Sequence, residues 1–132
     1  MATRHQAREA VVSLLYAYDI GNDDIATHAD EILEDKKIRN KQREFALSLF
    51  QGTMSDLENI DKQIVENLKE WGFNDLGNIE RAILRLGTYE VLTSDLDSAV
   101  IINEAIELAK KLCSDQSPKF INGVLDGVSK AK

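Results

Sequence analysis

Apolar residues recur at spacings of three and four along almost all of this chain, and no stretch reads as the strict alternation of a half-buried strand. That rhythm confines the fold to the all-α class. Ala7, Ala10, Val11, Leu14, Leu15 and Tyr18 form the inner stripe of a first helix that ends near Ile20 and Gly21. At about 100° per residue, His5, Glu9, Val12 and Tyr16 fall on the far side, so an apolar and an aromatic residue are expected to face solvent or a partner. A second helix starts near Asp23 or Asp24 and buries Ile25, Ala29, Ile32 and Leu33. A third packs Phe45, Leu49 and Phe50, with Gly52 marking a bend or close packing. Met54, Leu57, Ile60, Ile64, Val65 and Leu68 carry the period onward.

The segment from Trp71 to Asn78 holds two glycines and two asparagines besides Phe73, Asp75 and Leu76, and it breaks the helical run. A junction is expected there, between subdomains of about residues 1–73 and about 74–132 within one domain. The next helix, about Ile79 to Thr93, is apolar around most of its circumference, as a central buried helix is. Ser98 is expected to cap a further helix with Ile101, Ile102, Ala105, Ile106, Leu108, Ala109 and Leu112 inside, ending near Cys113. Ser117 and Pro118 mark the start of the last helix, which buries Phe120 or Ile121, then Val124, Leu125 and Val128. The total is about seven helices.

The 132 residues are enough for one sizeable core. Cys113 is the only cysteine, which excludes an intrachain disulfide and suits a reducing compartment, the cytoplasm by default. The apolar stretch Ala10 to Tyr18 runs into Asp19 and Asp23 with no small-residue cleavage site, so it reads as helix rather than signal peptide. No run approaches the roughly 18 apolar residues of a spanning helix, and a membrane role is not expected.

The net charge of −7 is incompatible with coating nucleic acid through bulk charge, so any such binding must be local. Three basic clusters qualify. Arg4 and Arg8 share a helical face and, with His5, either grip consecutive phosphates or form a solvated first turn. Lys36, Lys37, Arg39, Lys41 and Arg43 place five bases in eight positions with no acid among them, either a solvated loop or a binding surface. Lys119 and Phe120 open the last helix, where free N–H groups favour a phosphate and an aromatic ring either stacks a base or packs inward. Arg81 and Arg85, beside Glu80 and Glu90, are expected to make ion pairs. Between Met54 and Glu80, seven acids (Asp56, Glu58, Asp61, Glu66, Glu70, Asp75, Glu80) face two bases, an imbalance that suits either solubility or a basic protein partner.

Signatures of catalysis and metal binding are missing: there is no glycine-rich phosphate loop, no H-E-x-x-H, no paired cysteines and no G-x-S-x-G. His5 and His28 have no ligand partners at metal spacing. Asp19, Asp23 and Asp24 lack the glycine and closing glutamate of a calcium loop. No enzyme, cofactor or metal is expected.

Several blocks carry a family resemblance. Arg8-Glu9-Ala10 with Leu15-Tyr16, Ala82-Ile83-Leu84-Arg85-Leu86 with Tyr89-Glu90, Ile102 to Lys110 (INEAIELAK) and Lys119 to Asp126 (KFINGVLD) resemble the NusB family in order and spacing, from about Arg4 to Gly127. The resemblance implies two perpendicular three-helix bundles sharing an extra helix. It also implies a bacterial transcription antitermination factor that pairs with NusE, a small-subunit ribosomal protein, and binds the boxA element of nascent ribosomal RNA, helping RNA polymerase resist termination. Arg4 and Arg8 match the family's arginine-rich N-terminal RNA motif, with His5 between them expected in the same RNA-binding set, and Gln116, Ser117, Lys119, Phe120 and Asn122 match its second RNA region. Tyr16, Asp75 and Glu80 match the surface that meets NusE. The chain departs from the pattern with His5 and Gln6 where relatives carry arginine, with Pro118 inside the second region, and with neutral Asn74 where a relative is acidic. Two other readings stand beside this one. A NusB-like RNA-binding module of ribosomal RNA methyltransferases would need a following α/β domain, which a chain stopping at Lys132 is expected to lack. A purely structural helical protein that forms homodimers is the other.

Overall fold

A computed structural model describes residues 2–69 and 72–132. Glu70 and Trp71, named above in the acidic stretch and in the helix-breaking segment, lie outside the described residues. Seven α-helices and no strand are found among the described residues: α1 (Arg4–Asp19), α2 (Ile25–Asp35), α3 (Lys41–Ser55), α4 (Leu57–Glu66), α5 (Asn78–Thr93), α6 (Ser98–Leu112) and α7 (Ser117–Ala131), with a single 3-10 turn at Phe73–Asp75 before α5. Helices α1, α2 and α3 pack on one another, and so do α5, α6 and α7. Helix α4 follows α3 but lies on α5 and α7, and it belongs by contact with the second group. Helix α5 also touches α1 and α3, which explains its apolar circumference: it is covered from several directions and one continuous core runs across both groups.

Local chemistry sets the helix ends. Thr3 and Gln6 close a reciprocal capping box at the start of α1, a signal present in the sequence at the required spacing. The carboxylate of Asp97, not the expected Ser98, accepts from the N–H of Ala99 and starts α6. At α7, Pro118 fits the first turn because it removes an N–H that has no helical partner. Ser117 does not cap; its hydroxyl is buried and donates to Glu80.

Helix α2 ends in a reciprocal pair of backbone hydrogen bonds, Ile38 N–H to Leu33 C=O and Lys37 N–H to Glu34 C=O, with Leu33 and Ile38 both buried beneath it. The residue at the left-handed position of this motif is Lys37, at φ 61. Glycine is the usual occupant; a side chain there costs roughly 1 kcal/mol.

Two expectations about faces are corrected. Val12, expected outside with Tyr16, is 2% exposed, because α2, α3 and α5 all lie against α1 and leave it no broad solvent face. Val65, expected inside, is 49% exposed, since the break at Asp56 shifts the helical phase and Ile60 and Ile64 take the core. Of the two roles open to Gly52, a bend or close packing, the structure shows close packing: α3 runs through it, and any Cβ there would overlap the Tyr89 hydroxyl of α5.

Candidate nucleic-acid interface

Arg4 and Arg8, one helical turn apart on α1, meet different fates. Arg8 is 5% exposed, and its Nε and Nη2 donate to the two carboxylate oxygens of Glu90 on α5 at 2.8 and 2.9 Å. Burial works against the charge, but the hydrogen bonds and field of Glu90, with Glu104 adding to them, more than offset it and the guanidinium is held more firmly protonated than usual. Expected among the phosphate-gripping cations, Arg8 instead has its fork committed inside the protein. Arg4 is exposed and stacks over the ring of Phe45 at 4.4 Å, with Arg8 at 5.1 Å from the same ring. His5 is half-buried, with Nδ1 2.7 Å from a carboxylate oxygen of Glu104 on α6.

The second region gathers at the opposite end of α5. Phe120 is half-buried while its neighbour Ile121 takes the core position, which decides the alternative left open by the apolar pattern. The Phe120 ring borders two concavities. One is an open groove of about 740 Å³ walled by Asn67, Lys69, Gln116, Lys119 and Gly123, in which a Cβ on Gly123 would meet nothing. The other, of about 230 Å³, is lined by Asp75, Leu76, Glu80, Ser114, Gln116, Ser117 and Phe120. Lys119, Gln116 and Asn122 are exposed, and Lys119 makes no ion pair among the described residues. Asn67 and Lys69 were not singled out from the sequence; they sit before the helix break, and nothing local ties them to a residue some fifty positions later.

Arg8 reaches Glu90 and Ser117 reaches Glu80, so the two halves of the site are spaced by ten residues of α5, about 15 Å along its axis. They are therefore two separate footholds on one helix rather than a single cluster.

Tyr16, Asp75 and Glu80 collect at the Glu80 end. Tyr16 is half-buried, within a turn of Asp19, whose carboxylate accepts from Arg81 at 2.7 Å. Arg81 also donates to the backbone carbonyls of Phe73 and Leu76, and Arg85 forms a fork with Asp61. The two arginines thus make the expected interhelical ion pairs, with carboxylates from α1 and α4, and none of the intrahelical ones with Glu80 or Glu90 is found among the described residues. Asp75 accepts from the N–H of Gly72, and Glu80 accepts from the N–H of Gly77 and the hydroxyl of Ser117. Close by, burial pushes the Cys113 thiol up to about 11, the negative charge of Glu80 adds to the rise, and a hydrogen bond with Ser117 opposes it.

The model of the NusB family matches residues 5–130. The chain belongs to the NusB family. It is 64% identical to the transcription antitermination protein NusB of Sulfurimonas denitrificans over 132 residues, 100% of both chains. Among solved structures it resembles NusB of T. maritima, with a TM-score of 0.89 and 37% identity over 98% of this chain and 92% of that one. It also resembles a chain from a crystal structure of the antitermination factors NusB and NusE in complex with double-stranded RNA, with a TM-score of 0.88 and 32% identity over 98% and 97% of the two chains. The seven-helix NusB fold is therefore shared end to end. No described helix is long and apolar enough to cross a membrane.

Proposed function

We propose that this protein is a transcription antitermination factor that binds boxA RNA jointly with NusE and joins the RNA polymerase antitermination complex in the cytoplasm, without catalysis of its own. The observation that carries this reading is the shared concavity at the Glu80 end. Phe120, Gln116 and Ser117 of the RNA region line it together with Asp75 and Glu80 of the partner region, so one ligand seated there lies against the other. A family member captured with both NusE and RNA supports the same joint arrangement.

In this reading Phe120 stacks an unpaired base, Lys119 meets its phosphate, and the amides of Gln116 and Asn122 address base edges. Arg4, one helical turn from Arg8 and above the Phe45 ring, supplies a second phosphate contact toward the Glu90 end of α5. Arg8, His5 and Ser117 act by holding these elements in place. Tyr16, Asp75 and Glu80 face the basic NusE, which contributes positive charge that this acidic chain lacks.

Gel-shift titration of boxA RNA with and without NusE tests the assignment. Lys119→Ala and Phe120→Ala should each weaken RNA binding, Phe120→Ala by about 1–3 kcal/mol, while circular dichroism and melting stay close to those of the unsubstituted protein for Lys119→Ala. Unchanged RNA affinity in both variants rejects the site.

A further inference from the structure

A second concave surface built from cations lies outside the Phe120 end. It is an open cleft of about 700 Å³ between the outer side of α1, the loop joining α2 to α3, and the last turn of α6. Lys36, Lys37, Arg39 and Lys111 line it against a single carboxylate, Glu9, a balance of four positive charges to one negative in a protein whose net charge is −7. Lys111 is held by Glu9 at 2.7 Å and Arg39 by Glu34 at 2.7 Å, whereas Lys36 and Lys37 make no ion pair among the described residues. Gln6 and Asn40 add side-chain amides to the wall.

We propose that this cleft holds the phosphate backbone of the RNA strand where it extends beyond the Phe120 groove. The inference rests on the RNA-binding reading above and adds a second stretch of RNA to it. Three observations favour an RNA backbone. The lining is cationic and amide-bearing rather than apolar, the chemistry that meets phosphate and sugar. The cleft is continuous in the chain with the first site: Lys111 closes it from the last turn of α6, and Ser114 and Gln116, three and five residues on, already line the Phe120 concavity. Lastly, Lys37 occupies the left-handed position that ends α2, where glycine fits without strain, so the fold retains a lysine at a place where its own backbone favours losing it.

That conflict supplies the test. Anisotropy titrations use two single-stranded RNAs in the presence of NusE, one limited to the boxA element and one extended on both sides. Lys37→Gly and the double variant Lys36→Ala/Lys37→Gly should bind the extended RNA at least five-fold more weakly and the short RNA within two-fold of the unsubstituted protein. The salt dependence on the extended RNA should become shallower by about 0.7 in slope for each phosphate that is no longer neutralised. The melting temperature of Lys37→Gly should hold or rise, which separates weaker binding from failed folding. Unchanged affinity for the extended RNA overturns the proposal, as does an equal loss on both lengths, or a loss confined to an acidic protein partner with RNA binding intact. If the extended RNA is unaffected while Lys119→Ala still weakens boxA, only this inference fails. If the unsubstituted protein binds neither RNA, the RNA-binding reading falls with it.

Discussion

The two ends of α5 use positive charge in opposite ways. At the Glu90 end, Arg8 is sealed inside a two-pronged ion pair, His5 is tied to Glu104, and only Arg4 remains available above the Phe45 ring. At the Glu80 end, the carboxylates are occupied by a serine hydroxyl and backbone N–H groups, Arg81 and Arg85 are drawn off to Asp19 and Asp61, and Lys119 stands free beside a half-open aromatic ring. A cation in this acidic protein is therefore read by its nearest carboxylate. At these two ends, Arg8, Arg81 and Arg85 find one and hold the fold, and Arg4 and Lys119, which find none among the described residues, are left for a ligand.

The largest expected effect breaks the sealed end. Glu90→Ala strands the Arg8 guanidinium in the interior and should cost about 3–5 kcal/mol, read as a large fall in melting temperature or urea midpoint. Lys119→Ala should stay within about 0.5 kcal/mol in the same assay. Equal destabilisation by the two substitutions would erase the contrast between the ends.

A smaller effect sharpens it. Burial, with the negative charge of Glu80 adding to it, keeps the native Cys113 thiol protonated to unusually high pH. Alkylation of native Cys113 should remain slow through pH 9 and rise toward about 11, while the unfolded chain reacts around its ordinary value near 9.0. The sign follows from linkage: the raised thiol favours the folded state most below pH 9, and that contribution is lost as pH climbs toward 11. A native midpoint at or below 9 would mean that neither burial nor Glu80 governs this thiol.

Much of the fold was legible because helices write their buried stripe into local spacing. The central place of α5 and the inward turn of Ile60 and Ile64 follow from residues a few positions apart, whereas the ion pairing expected of Arg81 and Arg85 is made with Asp19 and Asp61, 62 and 24 positions away. Arg8 was not legible. It shares a helical face with Arg4, and the carboxylate that claims it lies 82 positions away. Val12 misled for a related reason, since periodicity marks one buried face and cannot show that further helices cover the others. Phe120 and Ile121 are adjacent and both apolar, so only the packed core decides which of them stays available for a base.

Photo-cross-linking of thiouridine-substituted boxA RNA to the complex with NusE, followed by peptide mapping, tests the central claim most directly. Cross-links should concentrate in residues 115–124 around Phe120. A bound, cross-linked RNA that leaves 115–124 unlabelled would contradict it.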